Sequence, residues 1–324
     1  MNTLQNHLLG IGTWAIGGPW TFDGRPAGWG EVDDEVSVAT IHAAVDGGIR
    51  LFDTADCYGA GQSERVLGKA LAQLPKNVRD EVVVATKFGN LFDETTRSGG
   101  GQDVRPEYIR QACENSLRRL GIDAIDVFQL HGGVGDAAEA APVIAVLEEL
   151  VAEGRIKAFG TSVDAPSVAE AFAGSPYGVS VQTQANVFGH QAEVLETARR
   201  TGLAVLARSP LAMGLLTGKY DETNRPAADD VRRDTPWWTY FDDDAMADWL
   251  KRLDTVRELL RTDGRTLTQG ALAYLWGLKV IPLPGARTPA QAIEHAGALA
   301  FGPLPSATFD QITELMQDSP EMMS

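Results

Sequence analysis

A chain of 324 residues with 44% apolar content has room for one large or two small globular domains, each with a sizeable core. Its net charge of −16 argues against nucleic acid as a partner, and any anionic ligand must be met by locally gathered Arg, Lys and backbone N–H groups. No apolar run reaches the roughly 18 residues of a membrane span, and the first residues carry no basic segment, so a cytoplasmic protein is expected. Cys57 and Cys113 are too few for a disulfide framework, which suits that compartment.

Gly10, Gly12 and Ala15 fit a G-x-G-x-x-A dinucleotide fingerprint, which must open a helix. Ile16, Gly17, Gly18 and Pro19 follow instead, and these are loop residues. The spacing therefore predicts a first strand near 11–14 and a loop carrying Trp20 and Trp29. A helix capped by Asp33 or Asp34 follows, with Val38, Ile41 and Val45 inward and Gly47 and Gly48 at its end. Leu51 and Phe52 make a second strand, and residues 63–74 a second helix. The β-branched run 82–87 is a third strand, and the Gly-rich stretch 90–103 reads as a loop. Pro106 suits the first turn of a third helix with Ile109, Cys113, Leu117 and Leu120 as its stripe and Gly121 as its stop, which makes Cys113 a core residue.

Residues 125–131 form a fourth strand, and Pro142 is expected to open the next helix. Strands near 157–160, 179–184, 204–207 and 280–283 alternate with helices after Pro166, over 192–200, near 267–276 and after Pro289. A long insertion from about 208 to 243 precedes an amphipathic helix with Trp249, Leu253, Val256, Leu259 and Leu260. The tail from 305 to 324 adds an outer helix with Phe309, Ile312, Leu315 and Met316. Eight strand–helix alternations predict a parallel sheet with crossover helices, closed as a (β/α)8 TIM barrel, with long loops at the C-terminal face, extra C-terminal helices and one domain over 1–324.

Three strands in succession end in chemistry. Asp53, Thr54 and Ala55 lead to Tyr58 and Gly59; Thr86 and Lys87 end the third strand; Gln129, Leu130 and His131 end the fourth. In a parallel barrel these tips converge on one point. An ammonium beside a phenol favours the phenolate, so Lys87, held by Asp53, is expected to lower the Tyr58 pKa and make it a general acid. Asp56 competes with Asp53 as the lysine's partner. His131 is placed to orient a carbonyl oxygen.

These motifs resemble the aldo-keto reductase family along nearly the whole chain. The resemblance implies a catalytic set of Asp53, Tyr58, Lys87 and His131, favours Asp53 over Asp56, and implies NADPH, with NADH possible, as cofactor and a small carbonyl compound as substrate. It implies cofactor contacts from Gly12, Thr13, Trp14 and Asp53, with Ser162 and Gln182 at the nicotinamide carboxamide. Ser209, Leu211, Gly214 and Lys219 fall in the loop around the pyrophosphate, where the N–H groups of Leu211 and Gly214 are the expected donors. Gly285, Arg287, Gln291 and Glu294 fall at the adenosine end, with Arg287 facing the 2′-phosphate.

Two positions depart from the family: His295 stands where Asn is usual, and Arg208 where an aromatic side chain usually covers the nicotinamide. A stacked guanidinium would disfavour the oxidised ring. Trp237, Trp238 and Tyr240 either wall the substrate pocket or pack the long loop down. His7, His42, His190 and His295 lack metal-ligand spacing and are read as surface or locally bonded. Asp242, Asp243 and Asp244 are read as a solvated helix cap, with Ca²⁺ binding as the other reading. Besides a carbonyl reductase, a nicotinamide-sensing subunit like the β-subunits of potassium channels and an NAD-linked sugar or alcohol dehydrogenase stay open, and the oligomeric state is not readable.

Overall fold

The computed structural model describes residues 4–317, apart from 222, 228, 229, 234 and 236. Among these residues eight parallel strands follow one another round a barrel: β1 (Gly10–Gly12), β2 (Leu51–Asp53), β3 (Val83–Phe88), β4 (Ile125–Leu130), β5 (Ile156–Thr161), β6 (Gly178–Asn186), β7 (Ala204–Arg208) and β8 (Ile281–Pro282). The ring closes through a parallel bridge between Gly12 and Gly285, with the Gly12 N–H donating to Pro284 O at 3.0 Å. Helices α1 (Asp34–Asp46), α2 (Gln62–Ala72), α3 (Pro106–Leu120), α4 (Ala137–Ala152), α5 (Pro166–Ala173), α6 (Ala192–Thr201), α8 (Leu267–Gly277) and α9 (Pro289–Gly297) wrap the outside. Helix α7 (Met246–Leu260) is an insertion before α8, and α10 (Ser306–Met316) is the extra C-terminal helix.

Strands β3 and β4 are buried along their whole length, because helices cover one face and the barrel interior the other. Alternation turns Val83, Ala85 and Lys87 inward, and the register sets Lys87 beside Gln129 of β4. The interior is apolar at its lower end, around Leu4, Leu51, Val83, Ala85, Val127, Leu206 and Ile281. It becomes polar at the C-terminal end, where Asp53, Lys87, Gln129 and Gln182 are all buried.

The G-x-G-x-x-A spacing opens no long helix: Trp14–Ile16 is one 3₁₀ turn leading into a loop. Pro142 does not open its helix. Helix α4 starts five residues earlier because the Asp136 carboxylate accepts the N–H groups of Ala138 and Glu139, and exposed Pro142 sits inside it. The stretch 90–103 is not a plain loop. Asn90–Asp93 and Ser98–Gln102 form a hairpin that joins Thr21–Phe22 and Arg25–Pro26 in a small four-stranded rim sheet. Gly99 allows this pairing, since a Cβ there would stand 2.6 Å from Leu91 O. The acidic run caps nothing: α7 has no side-chain cap, and Asp243 instead pairs with Arg225 and, at 3.7 Å, with Arg233.

Candidate active site

The tips of β2, β3 and β4 bring the four expected side chains together. Lys87 Nζ donates to Asp53 Oδ2 at 2.5 Å, to Thr54 O at 2.8 Å and to the Tyr58 hydroxyl at 3.3 Å. The other Asp53 oxygen accepts Gln129 Nε2 at 2.9 Å and Gln182 Nε2 at 2.8 Å. A buried ammonium is thus neutralised by a carboxylate whose remaining lone pairs are also filled, the condition under which a buried pair is tolerated. Asp56 does not compete for the lysine. It is fully buried, Oδ1 has no partner, and desolvation together with Glu64 raises its pKa well above the carboxylate range.

Burial by itself would lower the Lys87 ammonium, but Asp53 and Tyr58 outweigh it and raise its pKa. The Tyr58 phenol behaves differently from the sequence expectation. Desolvation pushes it up to about 12, against the opposing pull of Lys87, so the group keeps its proton throughout the neutral range. His131 is driven well below the ordinary histidine value by burial first, then by the charges of Lys87 and Arg208, and is therefore neutral. Its ring meets Tyr58 edge-on at 5.9 Å, and its Nδ1 lies 3.9 Å from Cys57 Sγ.

Above this floor lies a cavity of about 680 Å³. Of the expected cofactor residues, Gly12, Trp14, Asp53, Ser162, Gln182, Arg208, Ser209, Leu211, Gly214, Lys219, Gly285, Arg287, Gln291 and Glu294 all line it. Thr13 does not: it is buried, and both its N–H and its hydroxyl donate to Asp53 O, at 2.8 and 3.1 Å. The Gly214 N–H is not available either, since it donates to Leu211 O at 2.9 Å within a turn whose Met213 and Gly214 have positive φ. Gln182 is engaged with Asp53, as a barrel-filling side chain would be.

Two arginines of the cleft have partners within the protein. Arg208 forms a two-point pair with Asp164 and also donates to Gln182 O. Arg287 donates to Trp29 O at 2.7 Å and to Glu31 O at 2.6 Å, so it clamps the loop after β1.

A profile described as "Aldo/keto reductase family" matches residues 8–317. The chain belongs to the aldo-keto reductase family. It is 34% identical to "Aldo-keto reductase YhdN" of Bacillus subtilis (strain 168), over 89% of this chain and 83% of that one. It is also 34% identical to the "NADH-specific methylglyoxal reductase" of Escherichia coli (strain K12), over 90% and 89%. Among solved structures, the glycerol dehydrogenase AKR11B4 from Gluconobacter oxydans matches with a TM-score of 0.79 at 32% identity, covering 96% of this chain and 91% of that one. The protein is thus an oxidoreductase of a family that carries out NAD(P)H-dependent carbonyl reduction.

In this aldo-keto reductase several site residues carried no readable role. Gln129 was visible as part of a motif, and its inward parity two residues before His131 is the signal that would have found its bond to Asp53. Of the two readings of His295, surface or locally bonded, the second holds: it is buried at the edge of the cleft, with Nε2 bonded to Gly285 O at 3.1 Å. Arg232 pairs with Asp230, donates to Met213 O at 3.1 Å and lies over the Trp29 ring at 4.5 Å. Trp237 and Trp238 line the cavity, whereas Tyr240 is buried between Phe188 and Trp249 and packs the loop down.

Proposed function

We propose that this chain reduces the carbonyl group of a small aldehyde, ketone or open-chain sugar, reversibly, with NADPH as the preferred cofactor and NADH as the alternative. The observation that carries the reading is the Asp53–Lys87–Tyr58 chain of bonds at the floor of the cleft, with neutral His131 beside it. The donor set suits a dinucleotide. Lys219, Arg232 and Arg287 gather in an otherwise acidic protein, and His295 Nδ1 is buried in the cleft wall with no partner. The NADH alternative is supported by the name of the Escherichia coli relative.

When bound, a reduced nicotinamide supplies the hydride. The residues supply the rest. His131, neutral, offers an N–H to the carbonyl oxygen and fixes its direction. The Tyr58 hydroxyl gives its proton to that oxygen as negative charge develops there. The phenolate left behind is stabilised by the Lys87 ammonium 3.3 Å away, whose charge is anchored by Asp53. A high resting pKa suits this order of events, because the proton leaves only when a stronger base has formed. Gln129 and Gln182 hold the second Asp53 oxygen, so the carboxylate does not turn away from the lysine.

The test begins with binding. Trp14, Trp20, Trp29, Trp237 and Trp238 all line the cleft, so NADPH and NADH are titrated by quenching of tryptophan fluorescence. Reduced-nucleotide oxidation is then followed with a panel of aldehydes and ketones. Failure to bind either nucleotide, or binding without turnover of any carbonyl, rejects the proposal.

A further inference from the structure

The cavity is divided by charge. The charged residues that line it beyond the floor, Arg208, Lys219, Arg232, Arg287 and Glu294, come from β7 or later in the chain. The remaining wall, around Tyr58 and His131, comes from the loop after β1, the tips of β2 and β4, the rim hairpin and the Trp237–Trp238 pair. Its aromatic part is joined at Trp14, which stacks on Tyr58 at 5.8 Å and 23° and meets Trp29 at 5.5 Å and Trp238 at 6.2 Å. Trp14 is anchored by a bond from Nε1 to Ala27 O.

Among the described residues, no side chain in this chamber adds an unbalanced charge near neutral pH. Asp53 is balanced by Lys87 beneath it. Burial holds the Cys57 thiol and the Tyr58 phenol protonated and the His131 imidazole neutral. The nearest cation at the border, Arg208, is already paired with Asp164. A carboxylate or phosphate entering here would lose water and gain no free counter-charge.

Beside the floor groups and the indole N–H groups of the tryptophans, which only donate, the chamber carries two primary amides. Asn90 and Gln102 face each other across the rim hairpin, and Gln102 Nε2 donates to Asn90 Oδ1 at 3.1 Å and to His131 O at 3.4 Å. Among the described residues, Asn90 Nδ2 has only the Cys57 sulfur, at 3.9 Å, as its acceptor. That same sulfur lies 3.9 Å from His131 Nδ1, so the amide and the imidazole are neighbours. Sulfur is a weak acceptor, and a hydroxyl oxygen in its place would be a better one. A hydroxyl also donates, and an amide pair offers both functions.

We propose that this chamber selects an uncharged carbonyl compound with a hydroxyl beside its carbonyl, and that Asn90 and Gln102 read the hydroxyl. The inference deepens the reductase reading and rests on it. The test compares kcat/KM for three aldehydes: glyceraldehyde (neutral, hydroxylated), propanal (neutral, plain) and succinic semialdehyde (anionic). Wild type is expected to prefer glyceraldehyde over both. Gln102→Ala, at an exposed rim position that does not threaten folding, and Asn90→Ala should each shrink the glyceraldehyde-to-propanal ratio by roughly three- to tenfold, the worth of one net hydrogen bond. A purely structural role would lower both rates and leave that ratio fixed. The same comparison without turnover uses glycerol against 1-propanol, read as dissociation constants from tryptophan quenching. An unchanged ratio in both variants, or a preference for the anionic aldehyde, overturns the inference while leaving the reductase reading intact. Absence of turnover with all three aldehydes and with the wider panel overturns the reductase reading, and this inference falls with it.

Discussion

The floor of the cleft and its outer rim are built on different terms. At the floor, Lys87 and Asp53 are buried, each polar atom has a protein partner, and the parallel strands hold the tips in a fixed relation. At the rim, Arg208, Arg232 and Arg287 are also engaged, but with loop carboxylates and backbone carbonyls. Floor contacts hold Asp53, Lys87 and Tyr58 in place before anything binds. Rim contacts hold loops together, and a ligand anion must compete with them. A loss at the floor should therefore appear in the chemical step and in stability, and a loss at the rim in nucleotide affinity.

The largest expected effect is at the floor. Tyr58→Phe keeps the ring and removes the proton, so kcat should fall by about 10²–10⁴-fold with the dissociation constants for both nucleotides preserved. Near-normal turnover would remove Tyr58 from the role of acid. Lys87→Met leaves Asp53 buried without its counter-charge and should cost about 3–5 kcal/mol of stability, read from urea unfolding curves. A cost below 1 kcal/mol would mean that the floor tolerates an unbalanced carboxylate, and the contrast with the rim would fail.

The rim predictions are smaller. Arg287 now donates to two neutral carbonyls, and a phosphate is a stronger acceptor for the same group. Arg287→Ala should weaken NADPH about tenfold more than NADH in fluorescence titrations. Equal losses would leave the residue as a loop clamp alone. Arg208→Tyr should tighten NADP⁺ relative to NADPH by no more than about fivefold. Two unit charges about 4 Å apart repel by roughly 1 kcal/mol in a water-like medium, and the Asp164 pair reduces this further. A change of tens-fold would mean that Asp164 releases the guanidinium when the nucleotide binds.

The pH profile sharpens the comparison with an effect near zero. Tyr58 keeps its proton below about 12, and His131 is neutral at any pH above its lowered value, so neither group changes charge in the neutral range. Carbonyl reduction should keep the same kcat from about pH 6.5, the ordinary histidine value, to pH 9. A step in kcat inside that window would show that one of the two titrates there after all.

The alternation of apolar runs with capped amphipathic segments, visible from residue 10 to residue 316, determines the barrel, because each strand or helix carries its own periodicity. The tetrad is legible for a related reason: Asp53, Lys87 and His131 each end a buried apolar run, and Tyr58 lies in the tight loop just beyond Asp53. The family motif favours Asp53 over Asp56, and three-dimensional placement gives the cause: one carboxylate bonds the lysine and the other does not.

The remaining features come from contacts between segments far apart in the chain, which leave no local pattern. Arg287 takes acceptors 258 and 256 residues away. The rim hairpin includes three glycines in a row that suggest a loop until Thr21 and Phe22 pair with Ser98 and Gly99. Even the direction of the Tyr58 shift belongs to this class. The sequence supplies a neighbouring ammonium, which alone would lower the phenol. Only the packed tertiary structure sets how far water is excluded from it, and here desolvation is the larger effect.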